Sequence, residues 1–333
     1  MVEGMRRIGI VGAGAWGTAL ALVLHKNGRA VRIWAYEAEV VDAINGTHAN
    51  ALYLPGVALD PAIRAERLLA RVADADLLLL ATPAQHLREA VLGLAPHWDR
   101  RVPLVVCTKG IEERSAALMS EIVAEILPQP RQAVLSGPSF AKEVAAGLPT
   151  ALTLATRDAV LGPELVATLG SAALRLYLSD DPVGAEIGGA VKNVIAIACG
   201  IVAGRKLGDN ARAALITRGL AEMARLGLAK GAKAETFMGL SGLGDLTLTC
   251  NALQSRNFSL GQALGEGRRL ADVLGERRSV AEGVATAPSV VELARRLGVE
   301  MPISRAVALI LHEGAEIDAT IAGLLARPFK SER

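Results

Sequence analysis

Apolar residues follow two rhythms along this chain. Up to about Pro182 they come as short unbroken runs: Arg7 to Val11, Ala30 to Ala35, "ADLLLLATP" ending near Thr82, "VPLVVCTKG" ending near Lys109, "QAVLSGP" ending near Pro138, and "TALTLAT" from Thr150. These runs lack polar alternation, as strands buried on both faces require. Helical patterns separate most of them, and alternating strands and helices predict an α/β fold with a doubly wound parallel sheet. Beyond Pro182 strand patterns nearly vanish. Gly184 to Gly204, Ala211 to Leu226, Leu260 to Ala263, Thr286 to Leu297 and Ile303 to Leu311 are helical in period or length. The expected organisation is an α/β domain over residues 1–183 and an all-helical domain over residues 184–333, with a polar, frayed tail from Arg327.

Composition narrows the class. Of 333 residues, 51% are hydrophobic but only 3% aromatic, so small aliphatic side chains supply most of the core. Lys and Arg number 36 against 34 acidic residues, which leaves no long-range attraction to nucleic acid or to an anionic membrane. The three cysteines, Cys107, Cys199 and Cys250, are odd in number and not in C-x-x-C spacing, the pattern of reduced thiols in a cytoplasmic protein. The five histidines form no ligand pair, so no metal is expected.

The stretch "GIVGAGAWGTALALVL", Gly9 to Leu24, admits two readings. After Arg6-Arg7 it resembles the apolar core of a secretory signal. Yet it runs into His25-Lys26-Asn27-Gly28, a helix-ending pattern, and then into a second strand, not into a cleavage site. The better reading is a strand, a turn from Gly12 to Gly17, and a helix from Thr18 to Asn27. Gly12 allows the tight turn, Gly14 lets a pyrophosphate approach the backbone, and Gly17 lets helix and strand pack closely. The first domain is therefore expected to be of Rossmann type and to bind a dinucleotide. No stretch promises a membrane insertion: the longest candidate, Val194 to Gly204, is about half of the roughly 20 residues needed. At the end of the second strand an acid binds the adenosine ribose 2′-hydroxyl, whereas a basic residue accommodates a 2′-phosphate. Glu37 occupies that place, after Tyr36, but Arg29 and Arg32 are close in sequence, which leaves NAD and NADP both open.

Three later features carry chemistry. Lys192 lies in "GAEIGGAVKNVIAIACGIVAG", a helix apolar all round and hence buried. Desolvation lowers the pKa of such an ammonium and suits it to proton transfer; the alternative is a lysine that snorkels to the helix edge. "GLSGLGDLTLTC" sets one carboxylate, Asp245, among glycines that permit close approach of a ligand. "QSRNFSLG" gathers Ser255, Arg256 and Asn257, a cluster suited to a phosphate. Taken singly, the last two are ordinary loops and helix starts. Together the three supply an acid–base group, a carboxylate partner and an anion clamp.

With these residues the sequence closely resembles the bacterial NAD(P)-dependent glycerol-3-phosphate dehydrogenases. The likeness spans Arg7 to Leu325 and rests on motifs in order: "GAGAWGTALA", "YLPG", "CTKGIE", "SGPSFAKEV", "AVKNVIAIACGI", "GLSGLGDLTLTC", "SRN" and "VAEGVAT". It implies that Lys192 is the general acid/base with Asp245 as its catalytic partner. Substrate binding would fall to Lys109, Gly137, Ser139, Lys192, Asn193, Asp245, Thr249, Ser255, Arg256 and Asn257. Cofactor contacts would come from Gly12, Gly14, Ala15, Trp16, Gly17, Tyr36, Glu37, Tyr53, Lys109, Ala141, Arg256, Val280 and Glu282. Ala15 stands where relatives often have Ser, and Glu37 where some have Arg, which weakens the case for a 2′-phosphate. The implied reaction is hydride transfer to dihydroxyacetone phosphate, giving sn-glycerol 3-phosphate for phospholipid synthesis, in a cytoplasmic homodimer. Two other readings stand beside it: a related reductase with a 3-hydroxy acid or hexose-derived substrate, and a nucleotide sensor without catalysis.

Overall fold

The computed structural model describes residues 4–276 and 281–328. Its strands are β1 (Arg7–Val11), β2 (Ala30–Trp34), β3 (Arg64–Glu66), β4 (Leu77–Leu80), β5 (Leu104–Val106), β6 (Gln132–Ser136), β7 (Thr150–Ala155) and β8 (Leu174–Ser179), joined in one sheet in the order β3-β2-β1-β4-β5-β6-β7-β8. The chain winds outward from β1 in both directions, and the β1/β4 switch point leaves a crevice beyond the carboxyl ends of the strands. Strand side chains alternate between two cores. Ile8, Ile10, Leu77, Leu79 and Val105 pack under α1 (Ala15–Lys26), α2 (Ala38–Thr47), α6 (Ala141–Ala145) and α7 (Leu161–Leu169). Val11, Leu78, Leu80, Leu104 and Val106 pack under α3 (Leu69–Ala73), α4 (Leu87–Leu94) and α5 (Met119–Ile126). Both faces are covered, which is why these strands read as unbroken apolar runs.

The doubly wound sheet agrees with the sequence pattern, with three differences. Pairing is parallel except that β7 runs antiparallel to β6. Residues 137–149 hold only the short α6, so the chain turns back at the end where β6 finished. β3 and β8 were not expected, because "RAE" has no apolar run and "LRLYLS" alternates, as an edge strand with one wet face does. Finally, α1 begins at Ala15 and not at Thr18: Gly14 is its N-cap, in extended conformation.

The C-terminal part is helical throughout its described residues: α8 (Pro182–Gly204), α9 (Asp209–Ala229), α10 (Ala234–Met238), α11 (Asp245–Asn251), α12 (Arg256–Gly265), α13 (Leu270–Gly275), α14 (Glu282–Leu297), α15 (Pro302–His312) and α16 (Ile317–Leu325). Residue 183 falls in the first turn of α8. Asp181 caps this helix, accepting from the Gly184 N–H at 2.9 Å, while Pro182 occupies the first helical position, where no donor is needed. The other Asp181 oxygen accepts from the Lys233 N–H and the Thr236 hydroxyl, tying α10 to the start of α8. α8 is long and apolar enough to cross a membrane, but 89% of its most apolar window is buried inside the protein, where it forms the axis of the helical core.

The segment expected to be a loop around Asp245 is helical: a π-helical turn, Leu240–Gly244, runs directly into α11. Packing within the turn requires one of its glycines, Gly242. A Cβ on Gly242 would lie 2.2 Å from the Phe237 carbonyl oxygen. On α8 the matching gap is at Gly188, where a Cβ would lie 2.2 Å from the Ser241 carbonyl oxygen. Gly188→Ala is therefore expected to destabilise the protein by roughly 1–3 kcal/mol, as overpacking does. The fall in the denaturation midpoint measures it; an unchanged midpoint would mean that the π turn has room to yield.

Candidate active site

The first half of the site is the glycine turn at the β1/β4 switch point. Gly12 has φ +122°, and a Cβ there would lie 2.7 Å from the Ala81 and Thr82 backbone. A Cβ on Gly17 would lie 1.9 Å from the Gly12 carbonyl oxygen, so turn and helix close only with glycine at both positions. By contrast, nothing lies within 4 Å of a Cβ built on Gly14. That open space faces the first turn of α1, whose N–H groups at Ala15, Trp16 and Gly17 have no partner within the helix. Trp16 Nε1 and Thr82 Oγ1 are buried and lack a hydrogen-bond partner. Free backbone donors at a positive helix end, an open glycine and two unused side-chain groups suit the pyrophosphate of a dinucleotide.

The second strand brings Tyr36 and Glu37 to the same end of the sheet. Tyr36 is 82% exposed, with its ring edge-on to Trp34. Glu37 is the N-cap residue of α2, and its Oε1 accepts a 2.8 Å hydrogen bond from the Tyr53 hydroxyl. The two arginines that left the cofactor open point elsewhere. Arg29 precedes β2, at the opposite end of the strand, and donates to the Ala167 carbonyl; Arg32 donates to the Arg71 carbonyl.

The second half assembles around Asp245, whose side chain is fully buried. Lys192 Nζ, from the middle of α8, donates to Asp245 Oδ1 at 2.5 Å and to Thr249 Oγ1 at 3.0 Å. Lys109 Nζ, just past β5, donates to Asp245 Oδ2 at 2.8 Å and to the Gly137 carbonyl, just past β6. One carboxylate thus holds two ammonium groups, one from the sheet and one from the helical core. Lys192 does not snorkel; it is 7% exposed. Burial pushes its pKa down to about 8, against the pull of Asp245, and the Lys109 charge adds to the depression. The sequence pattern revealed the apolar surroundings of Lys192 but not its partners, which reach it from other segments.

The remaining expected residues divide by what their polar atoms already do. Ser139 Oγ donates to the Gly137 carbonyl, and Ala141 opens α6 beside it. Asn193 donates to the Gly189 carbonyl and accepts from Asn257, whose own Oδ1 accepts from the Gly283 N–H. These two asparagines bind α8, α12 and α14 together. Ser255 Oγ caps α12 by accepting from the Phe258 N–H at 3.2 Å. Arg256 is exposed at the first turn of that helix. Glu282 opens α14, half-buried, and accepts from the Ala84 N–H just past β4; burial pushes its carboxyl up to about 7, against the attraction of Arg256. Val280 lies outside the described residues. Asn50, which no motif pointed to, is buried under the glycine turn and donates to the Ala13 carbonyl at 2.8 Å.

A family model for the N-terminal part of NAD-dependent glycerol-3-phosphate dehydrogenase matches residues 7–161, and one for the C-terminal part matches residues 181–322. The chain belongs to this family. A glycerol-3-phosphate dehydrogenase [NAD(P)+] of Parvibaculum lavamentivorans is 57% identical to it over 332 residues, spanning 100% of both chains. A protein of the same name from Caulobacter vibrioides is 55% identical over 326 residues, or 98% of each chain. The crystal structure of glycerol-3-phosphate dehydrogenase from Coxiella burnetii superposes with a TM-score of 0.94 at 42% identity, covering 97% of this chain and 99% of that one. The family match covers both halves of the fold and so both sides of the Asp245 cluster.

The shared carboxylate gives a directional test. Lys109→Met removes a positive charge that disfavours protonation of Lys192, so Lys192 is expected to titrate above its value of about 8. Heteronuclear NMR of the lysine side chains across a pH series measures it. An unmoved or lower value would show that the two ammonium groups do not interact.

Proposed function

We propose that this chain is an NAD(P)-dependent glycerol-3-phosphate dehydrogenase, catalysing the reversible reduction of dihydroxyacetone phosphate to sn-glycerol 3-phosphate for phospholipid synthesis. The observation that carries this reading is the buried Lys192–Asp245 pair facing Lys109 and Gly137 beyond the carboxyl end of the sheet. Residues 1–183 hold the dinucleotide, through Gly12, Gly14, Ala15, Trp16, Gly17, Tyr36, Glu37 and Tyr53, with Lys109, Ala141, Arg256, Val280 and Glu282 completing the cofactor contacts. Residues 184–333 supply the acid–base group and the phosphate clamp. The reading includes a homodimer and a cytoplasmic location, both implied by the family resemblance. Side-by-side consumption of NADH and NADPH with dihydroxyacetone phosphate tests it directly, and no turnover with either cofactor would overturn it.

The cofactor supplies the hydride. The protein manages the oxygen, which gains negative charge as the carbonyl becomes an alcohol. Lys192, held by Asp245 and Thr249, donates a proton to that oxygen and recovers one from solvent; in the oxidative direction its neutral amine takes the hydroxyl proton. Asp245 fixes the ammonium in place. Lys109, on the other oxygen of Asp245, adds positive potential where charge develops. Arg256 and the N–H groups at the start of α12 hold the phosphate, so its binding energy orients the reacting carbon.

Three outcomes follow from these roles. Lys192→Met is expected to lower kcat by about 10²–10⁴-fold, the usual contribution of a general acid–base group; near-normal turnover in folded protein would remove Lys192 from the chemistry. Ketone reduction needs the ammonium and alcohol oxidation needs the amine. As pH rises through about 8, reduction should therefore slow while oxidation quickens, and matched pH–rate profiles in both directions check this. Arg256→Ala is expected to cost about a hundredfold in kcat/KM for dihydroxyacetone phosphate, from loss of a charge-assisted contact of roughly 3 kcal/mol. It should cost far less for unphosphorylated dihydroxyacetone at saturating NADH. An equal loss on both substrates would assign Arg256 to the fold or to the cofactor.

A further inference from the structure

The Tyr53 hydroxyl and the Glu37 carboxylate come from segments 16 residues apart, on either side of α2. Tyr53 is not free to wander. Its N–H donates to Asn50 Oδ1 at 3.2 Å, and Asn50 Nδ2 donates to the Ala13 carbonyl at 2.8 Å and to Thr18 Oγ1 at 2.9 Å. Asn50 is 1% exposed and Thr18 is fully buried. An unbroken hydrogen-bonded path thus runs from the glycine turn, through Asn50 and the Tyr53 main chain, to the Tyr53 ring and on to Glu37. Its two ends stand where a dinucleotide has its pyrophosphate and its adenosine ribose. In the cofactor these groups are joined covalently at a set distance, so an acid that reads the ribose must itself be set relative to the phosphates. A glutamate at the start of a helix has side-chain torsions free enough to turn its carboxylate to solvent, and a single donor removes that freedom.

We propose that Tyr53 is a specificity-determining positioning residue: by holding Glu37 at the end of β2, in register with the glycine turn, it makes the chain favour a ribose 2′-hydroxyl over a 2′-phosphate and so select NAD over NADP. The inference rests on the dinucleotide reading above and goes beyond it by naming what sets the choice. With Oε1 held by Tyr53, Oε2 is left to accept from a ribose hydroxyl. The same fixed carboxylate repels a phosphate dianion, and Glu39 in the first turn of α2 adds negative charge on that side. The two arginines nearest in sequence do not offset this, because Arg29 and Arg32 donate to backbone carbonyls away from the site. The phenol carries a mark of the lock: burial, and after it the bond to Glu37, raises its pKa to about 12.

The experiment is a double-mutant cycle on binding, with dissociation constants for NADH and NADPH measured by calorimetry on the full chain. Wild type is expected to bind NADH more tightly. Tyr53→Phe, which keeps the ring and removes the donor, should narrow the NADPH-to-NADH ratio by about five- to tenfold, the scale of one ordinary hydrogen bond. Glu37→Gln should narrow it at least as far, and adding Tyr53→Phe to Glu37→Gln should narrow it no further, because a Tyr53 contact common to both cofactors cancels in the ratio and its effect on the choice runs through Glu37. Glu37→Asp, which keeps the charge but withdraws it from the phenol, should behave like Tyr53→Phe and covers the case in which Tyr53→Phe fails to fold. Ultraviolet titration should show one tyrosine moving down toward 10 in Glu37→Gln. An unmoved ratio in Tyr53→Phe or in Glu37→Asp would overturn the proposal, as would an equal effect of Tyr53→Phe with and without Glu37. Wild-type protein that binds neither dinucleotide would sink the dehydrogenase reading itself, a result distinct from binding both without discrimination.

Discussion

The fully buried carboxylate of Asp245 is the constraint around which the rest of the molecule is arranged. An ion without water needs compensating charge and hydrogen bonds, or it loses its proton balance or unfolds its surroundings. Here both oxygens are satisfied, Oδ1 by Lys192 and Oδ2 by Lys109. Each requirement reaches back into the fold. Lys192 arrives on the central helix of the helical core, and Lys109 arrives just past a sheet strand. Asp245 can meet both only because the π turn before it sits directly on α8 at Gly188. Removing either lysine strips one carboxylate oxygen of its partner, and removing Asp245 leaves two ammonium groups side by side.

The same junction explains how the two halves of the chain are kept in register. Besides Lys109 and Asp245, Glu186 on α8 accepts from both the N–H and the hydroxyl of Ser120 at the start of α5, and Glu282 accepts from the Ala84 N–H beyond β4. Arg296 on α14 donates to the Ser115 carbonyl. Burial pushes the Glu186 carboxyl up to about 7, against the pull of these Ser120 donors, so this contact is strongest when the acid is ionised. These polar contacts have narrow geometry, and beside them Ile111, Ala116 and Leu118 pack into the helical core. They hold the helical part over the crevice at the sheet's carboxyl ends, where hydride and proton must be delivered to adjacent atoms of one substrate.

Polar residues in this protein serve position as often as chemistry. Ser255 and Asn257 lie in a motif suited to phosphate, yet their side chains cap α12 and join three helices. Asn50 secures the glycine turn from beneath. Arg256, between them, stands exposed in the first turn of α12.

Local pattern determined a good deal. Unbroken apolar runs marked strands covered on both faces, and spaced glycines marked a turn that closes only with glycine at Gly12 and Gly17. An apolar helix with a single lysine pointed to a buried ammonium before any partner was in view. These features are legible because they depend on a residue's immediate neighbours. Tertiary structure decided what depends on groups far apart in the chain. The antiparallel β7 follows from which end of the sheet the chain had reached, and edge strand β8 was hidden by its one wet face. Gly242, before Asp245, proved to be wedged against the Phe237 backbone. The clearest case is Asp245 itself: its partners lie 53 and 136 residues away in sequence, and no local pattern records that one carboxylate will be enclosed between them.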